Sequence, residues 1–148
     1  DIQAAIAHNQ FKRLDTLKKF RNINKNLIIE KISNSKKWKN QFKFIVTPKD
    51  IDPSWMGLPI LLSEKYMKKK QKFVNFLDNQ GIETRPIISG NFANQPAAKL
   101  YKLCKKNEKF ENAQKVQELG FLIGLHTKKL SKKNLDLIHD SFFMIDNI

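Results

Sequence analysis

Gly81-Ile82-Glu83-Thr84-Arg85-Pro86-Ile87-Ile88-Ser89-Gly90-Asn91-Phe92-Ala93-Asn94-Gln95-Pro96 is the stretch on which the reading of this chain turns. Ile82, Thr84 and the Ile87-Ile88 pair suit a pleated, half-buried surface. Gly81 supplies a turn before them, and Pro86 confines the strand to an edge or an irregular path. Ser89-Gly90-Asn91 then opens the backbone to conformations that bulkier residues avoid. Within a few residues the chain gathers a guanidinium, carboxamides, a hydroxyl and an aromatic ring, a set suited to a phosphate or a sugar. The same composition also suits an ordinary polar turn. Arginine usage bears on the choice: the 28 basic residues include only Arg13, Arg21 and Arg85, and the rest are lysine. An arginine placed between Thr84 and Pro86 points to the planar fork that binds phosphate or carboxylate through two hydrogen bonds. An ion pair between Arg85 and Glu83 is the competing reading.

Working outward, the helix before this stretch starts at Ser63 as N-cap, carries Met67, Gln71, Val74 and Leu77 with Phe73 and Phe76 beside them, and closes at Asn79-Gln80-Gly81. Lys68-Lys69-Lys70 reads as its solvated start. Phe42–Val46 and Trp55–Leu62 read as strands, separated by a loop in which Asp50 and Asp52 are turn formers. From Ile2 to about Ile32, apolar residues recur at spacings of three and four and predict one helix roughly 45 Å long. After the central stretch come a helix from Pro96 to Lys106 and a second from Phe110 to Leu119. A short strand over Phe121–His126 and a final helix capped by Ser131 follow, the helix turning Leu135, Ile138, Phe142 and Ile145 inward. This order predicts an α/β (α+β) domain: a small, mostly antiparallel sheet covered by helices, with a long N-terminal helix.

A chain of 148 residues fits one domain or one part of a larger enzyme. It starts at Asp1, inside a helical pattern, and is expected to be a segment of a longer polypeptide. No apolar run approaches the roughly 20 residues that cross a bilayer, so no membrane partner is expected and a cytoplasmic setting is. Cys104, the only cysteine, reads as a small semi-buried residue. The net charge of +14 attracts polyanions. Its lysines are scattered and never interleaved with aromatics, however, which argues against specific nucleic-acid binding. No metal-ligand spacing links His8, His126 and His139, His126 at its strand end reads as a core histidine with a pocket-facing role as the alternative, and no complete catalytic set appears.

With the elements in order, the chain resembles the C-terminal domain of the DegT-type (DegT/StrS) sugar aminotransferases, pyridoxal-phosphate enzymes acting on 4-keto nucleotide sugars. The matching pieces are Asp1–Ile6, Trp55–Pro59, Gly81–Pro86 with Gly90-Asn91 and Gln95-Pro96, and Gly120–His126. Gly-Asn-x-x-x-Gln-Pro after Thr-Arg-Pro is most similar to the branch for GDP- or CDP-linked 4-keto-6-deoxy sugars, which includes 3-dehydratases. The resemblance implies the C-terminal small domain of a fold-type I enzyme spanning 1–148. The pyridoxal 5'-phosphate and the lysine or histidine that serves it would lie in an N-terminal domain outside the chain. It implies transamination or 3-dehydration in deoxysugar and lipopolysaccharide biosynthesis by the whole enzyme, a homodimer, with this fragment inactive alone. It makes Arg85 the contact for an anionic group and Asn91 the contact for a sugar hydroxyl or phosphate oxygen. Phe92 would pack on the sugar or cofactor edge, and Gln95 would brace the loop. A basic nucleic-acid- or anion-binding module and a dimerisation domain are the rival readings.

Overall fold

A computed structural model describes residues 2–105 and 108–148. The core is built from one face of a four-stranded sheet. In β2 (Gly57–Leu62) alternate residues Leu58, Ile60 and Leu62 are buried, as the period of a strand requires when one face meets the core. β1 (Phe42–Phe44) and β4 (Gly120–Gly124) flank it, and β3 (Thr84–Arg85) adds to the far side of β4. The order is β1-β2-β4-β3, and every pair is antiparallel. Pro59 is in register with Leu122 of β4, but β1 pairs only with Ile60, Leu61 and Leu62, so at Pro59 the other side of β2 is open, as a residue without an N–H favours. Pro86 fits its edge expectation: β3 is two residues long and stops where the proline begins.

The N-terminal helix is two helices, α1 (Ile2–Phe11) and α2 (Leu14–Ser33). The apolar repeat lapses over His8-Asn9-Gln10, and the chain turns there, Arg13 N–H donating to the Gln10 carbonyl at 3.0 Å. α1 buries none of its residues, whereas α2 presses Ile28 and Ile32 into the core. α2 also carries the fully buried Asn24, whose amide donates to the carbonyls of His126 and Lys128 and accepts from Leu130 N–H. One side chain thus satisfies three backbone groups of the turn after β4. His126 itself is exposed, its Nδ1 accepting from Lys128 N–H at 3.0 Å, so it is a turn residue and not a core histidine.

A 3₁₀ turn over Glu64–Lys69 leads into α3 (Lys70–Asn79), and α3 turns Phe73 and Leu77 inward. Met67, expected inside, is 40% exposed because the first turn is 3₁₀ and shifts the face of the residues before Lys70. Phe73 meets the rings of Phe42, Phe121 and Phe142 at centroid distances near 6.0 Å, edge-on to the last two. α4 is only Pro96–Leu100: Lys102 takes φ +50, and Leu103 and Cys104 lie in the loop beyond. The expected continuation to Lys106 ends outside the described residues. α5 (Glu111–Leu119) and α6 (Lys132–Phe143) follow. Ser131 Oγ caps α6 by accepting from Asn134 N–H at 3.2 Å. Phe142 and Ile145 are fully buried, while Leu135 and Ile138 pack only partly against the core. Among the described residues no helix is long and apolar enough to cross a membrane.

Candidate functional site

The central stretch is a short strand followed by a loop clamped to α5. Gly81 closes α3 at φ +78, and Asp78 Oδ1 takes both the N–H and the hydroxyl of Thr84, which feeds the chain into β3. Ile87 then tucks against Gly120, where an added Cβ would stand 2.6 Å from Ile87 Cδ1. A tight turn follows, Gly90 N–H donating to the Ile87 carbonyl at 2.9 Å. Gly90 takes φ +61 and lies so close to Gln117 that a Cβ would meet that side chain at 2.9 Å. Here glycine is required twice, for its conformation and for its lack of bulk.

Two carboxamides of α5 hold the loop from below. Gln117 Oε1 accepts from the Asn91 N–H at 3.0 Å and from Asn94 Nδ2 at 3.3 Å. Gln114 Oε1 accepts from Asn91 Nδ2 at 3.0 Å and from Asn94 Nδ2 at 2.9 Å, and Gln114 Nε2 donates to Glu118 at 2.7 Å. Asn91 Oδ1 caps the 3₁₀ turn Phe92–Asn94 by accepting from Ala93 N–H. Asn91 is buried, with both ends of its side chain bonded within the protein. Gln95 Nε2 donates to the Ser89 carbonyl at 3.2 Å, closing the loop across its neck.

Arg85 stands apart from this cluster. Its Nε and Nη2 both donate to Glu83 Oε1, at 3.0 and 2.6 Å, and its side chain is 72% exposed. Two hollows border the loop. The larger, about 1040 Å³, runs between α4 and α5 and is lined by Asn91 and Asn94 with Ala98, Cys104 and several lysines. The smaller, about 390 Å³, lies under residues 86–95 and is lined by Lys70, Ser89, Gly90, Asn94 and Gln95 among others. The structure thus brings Asn91 to one hollow and Gln95 to the other, with Asn94 bordering both. Arg85 and Phe92 line neither; Phe92 is half exposed beside the loop.

Three residues that sequence reasoning passed over hold this region together: Gln114, Gln117 and Lys70. The two glutamines are three apart on one helix and so share a face, a signal that spacing alone leaves among many polar pairs. Lys70, expected in the solvated start of its helix, is half-buried, and its ammonium donates to the Gln117 carbonyl at 2.7 Å. Burial pulls its pKa below the ordinary lysine value. Elsewhere, His139 lies 2.9 Å from Ser35 Oγ and 2.8 Å from Asp140 Oδ1. Ser35 Oγ also accepts Lys37 N–H, so the group clasps the end of α2 to α6. Among the described residues no cluster of three metal-ligating side chains occurs.

Residues 1–142 match the DegT/DnrJ/EryC1/StrS aminotransferase family. The chain is 28% identical over 145 residues to the lipopolysaccharide biosynthesis protein RfbH of Salmonella typhimurium, covering 96% of this chain and 31% of that protein. It is 24% identical over 130 residues to the GDP-4-keto-6-deoxy-D-mannose 3-dehydratase of Escherichia coli, covering 88% of this chain and 32% of that one. The solved structure of an E. coli GDP-4-keto-6-deoxy-D-mannose-3-dehydratase with bound hydrated PLP superposes with a TM-score of 0.74 at 23% identity, over 93% of this chain and 33% of its own. The aminotransferase PseC of Helicobacter pylori gives 0.80 at 16% identity, over 99% and 38%. The chain spans about a third of the length of these relatives.

Proposed function

We infer what this chain does from one premise: it belongs to the DegT/DnrJ/EryC1/StrS aminotransferase family. We propose that it is the C-terminal domain of a pyridoxal-phosphate enzyme that aminates, or removes the 3-hydroxyl of, a 4-keto-6-deoxy nucleotide sugar for lipopolysaccharide or another deoxysugar polymer. The match over 142 residues to a family whose members are about three times as long carries this reading. The enzyme would work in the cytoplasm as a homodimer, with this domain on the substrate side of a site shared between subunits.

Pyridoxal phosphate requires a lysine or its substitute to engage it and a charged partner at its ring nitrogen. The hollow that holds Lys70 is lined by no carboxylate and no arginine. The acids of the larger hollow sit among exposed lysines. The described residues do not fit the cofactor, and the proposal assigns it, with the chemical step, to polypeptide beyond these 148 residues.

What remains for this chain is recognition. Arg85 offers its outward guanidinium to an anionic group of the nucleotide sugar, after exchanging or sharing its bond to Glu83. Phe92 offers an exposed ring to the sugar face. Asn91 acts by holding the loop, since both ends of its side chain are bonded within it, and Gln95 braces the loop's neck through one amide hydrogen. The test is to express the chain with the segment encoded upstream of it and follow GDP- and CDP-4-keto-6-deoxy sugars by mass spectrometry. Exchange of the keto oxygen for an amine, or loss of the 3-hydroxyl, is the expected result. An upstream frame with no cofactor domain, or no change in any such sugar, would overturn the reading.

A further inference from the structure

Among the described residues, Lys70 is the one charged side chain lining the smaller hollow, and several acceptors around it are already taken. The Gln117 carbonyl receives the Lys70 ammonium itself, Gln117 Oε1 receives the N–H groups of Asn91 and Asn94, and the Ser89 carbonyl receives Gln95. Among the described residues, donors are left over. The ammonium has three N–H groups and gives one to the Gln117 carbonyl, the Ser89 hydroxyl borders the same space, and Gln95 has a second amide hydrogen. The carboxylate whose charge acts on Lys70 is Glu118, which lies outside the lining and accepts from Gln114.

We propose that this hollow is a binding site for a phosphoryl oxyanion, with Lys70 as its cation and Ser89 and Gln95 as neutral donors. A half-buried ammonium bonded to a carbonyl has lost water that Glu118, outside the lining, only partly offsets, and an oxyanion supplies the remaining charge through charge-assisted bonds. The depressed pKa of Lys70 reflects the same deficit, which a bound anion would relieve. The fold keeps the site formed in advance. Gln117 holds Lys70 through its backbone and the loop through its side chain, so the cation and the donors share one support. The volume, about 390 Å³, admits a phosphoryl group with part of what it is attached to. On the functional reading above, the anion is the diphosphate of the nucleotide sugar, with Lys70 as a half-buried partner in addition to the exposed Arg85; that identification rests on the reading, whereas the site itself does not.

The experiment is a titration of the isotope-labelled 148-residue chain with pyrophosphate at constant ionic strength, followed by amide chemical shifts. Saturable shifts at Ser89, Gly90 and Gln95 are expected. Lys70→Gln should weaken binding about tenfold or more, the worth of a charge-assisted hydrogen bond. Lys70→Arg and, on α6, the exposed Lys133→Gln should stay within about threefold of the parent, since both keep the charge at position 70. Ser89→Ala, at an exposed position with no structural bond from its hydroxyl, provides a second loss-of-binding variant should Lys70→Gln disturb the fold. Equal affinity in both loss variants, or shifts spread over the lysine surface that fade uniformly with salt, would overturn the site. A parallel titration with a GDP-sugar separates the two ideas. Pyrophosphate binding without GDP-sugar binding keeps the site and removes the functional identification. GDP-sugar binding untouched by Lys70→Gln does the reverse.

Discussion

At Ile88 a β-branched side chain is held at φ +44, a region such residues avoid, and 88% of it faces solvent. No burial compensates the strain locally; the hydrogen bonds of the loop to α5 impose it. Ile88→Gly should therefore stabilise the chain by about 0.5–1 kcal/mol, the relief of a left-handed conformation less the entropy that glycine adds to the unfolded state. A rise in melting temperature checks this, and a fall would show that the side chain packs in solution. Tyr66 and Asp146 make the opposite case, a well-matched pair. The buried Tyr66 hydroxyl donates to Asp146 Oδ1, and Gln41 Nε2 donates to Oδ2. The Tyr66 bond first, and then Gln41, holds the Asp146 carboxyl below the ordinary aspartate range against the opposing effect of burial. A folded value below the unfolded one gives stability that is present above the unfolded pKa, about pH 4, and is lost as pH falls through the folded one. Tyr66→Phe should cost about 1–2 kcal/mol near neutrality and flatten the loss of stability below about pH 4, read by melting across a pH series.

Between elements, the junction of α5 and β4 matters most to the candidate site. Gly120 ends α5 and begins β4, and a Cβ there would meet the Val116 carbonyl at 2.4 Å and Ile87 at 2.6 Å. The same glycine lets the strand, the helix and the loop base converge. Gly120→Ala should destabilise by about 1–3 kcal/mol, the usual cost of overpacking. It should also displace Ile87, detected as shifted amide resonances through Ser89 and Gly90. Unchanged stability with unchanged loop shifts would contradict the close packing. The α1–α2 break belongs to this scale as well. A helical repeat forms a continuous helix only where its apolar face has something to cover, and α1 covers nothing among the described residues.

For the whole molecule, the charge of +14 is spread over the surface, and the loop region holds only a small share of it. Such a field draws in any polyanion without reading sequence. Filter binding to RNA should show affinity that collapses between low and moderate salt, with no preference among sequences. Salt-resistant, sequence-selective binding would revive the nucleic-acid reading. The phosphoryl site differs from this diffuse attraction in resting on one half-buried ammonium, so its affinity should respond to Lys70 more than to ionic strength.

The sequence by itself determined the element order, most of the helix and strand positions, the Gly81 and Ser131 boundaries and the family. Each of these rests on local pattern: period, caps, turn residues and a motif that spans the chain. Only the tertiary structure decided that Arg85 turns outward onto Glu83, that Asn91 is consumed as a brace, and that Lys70, at the end of a lysine run, faces inward. The physical reason is the distance in chain between partners. Asn91 meets glutamines 23 and 26 residues away and Lys70 meets a carbonyl 47 away, and no local rule records which polar side chain such a partner will claim.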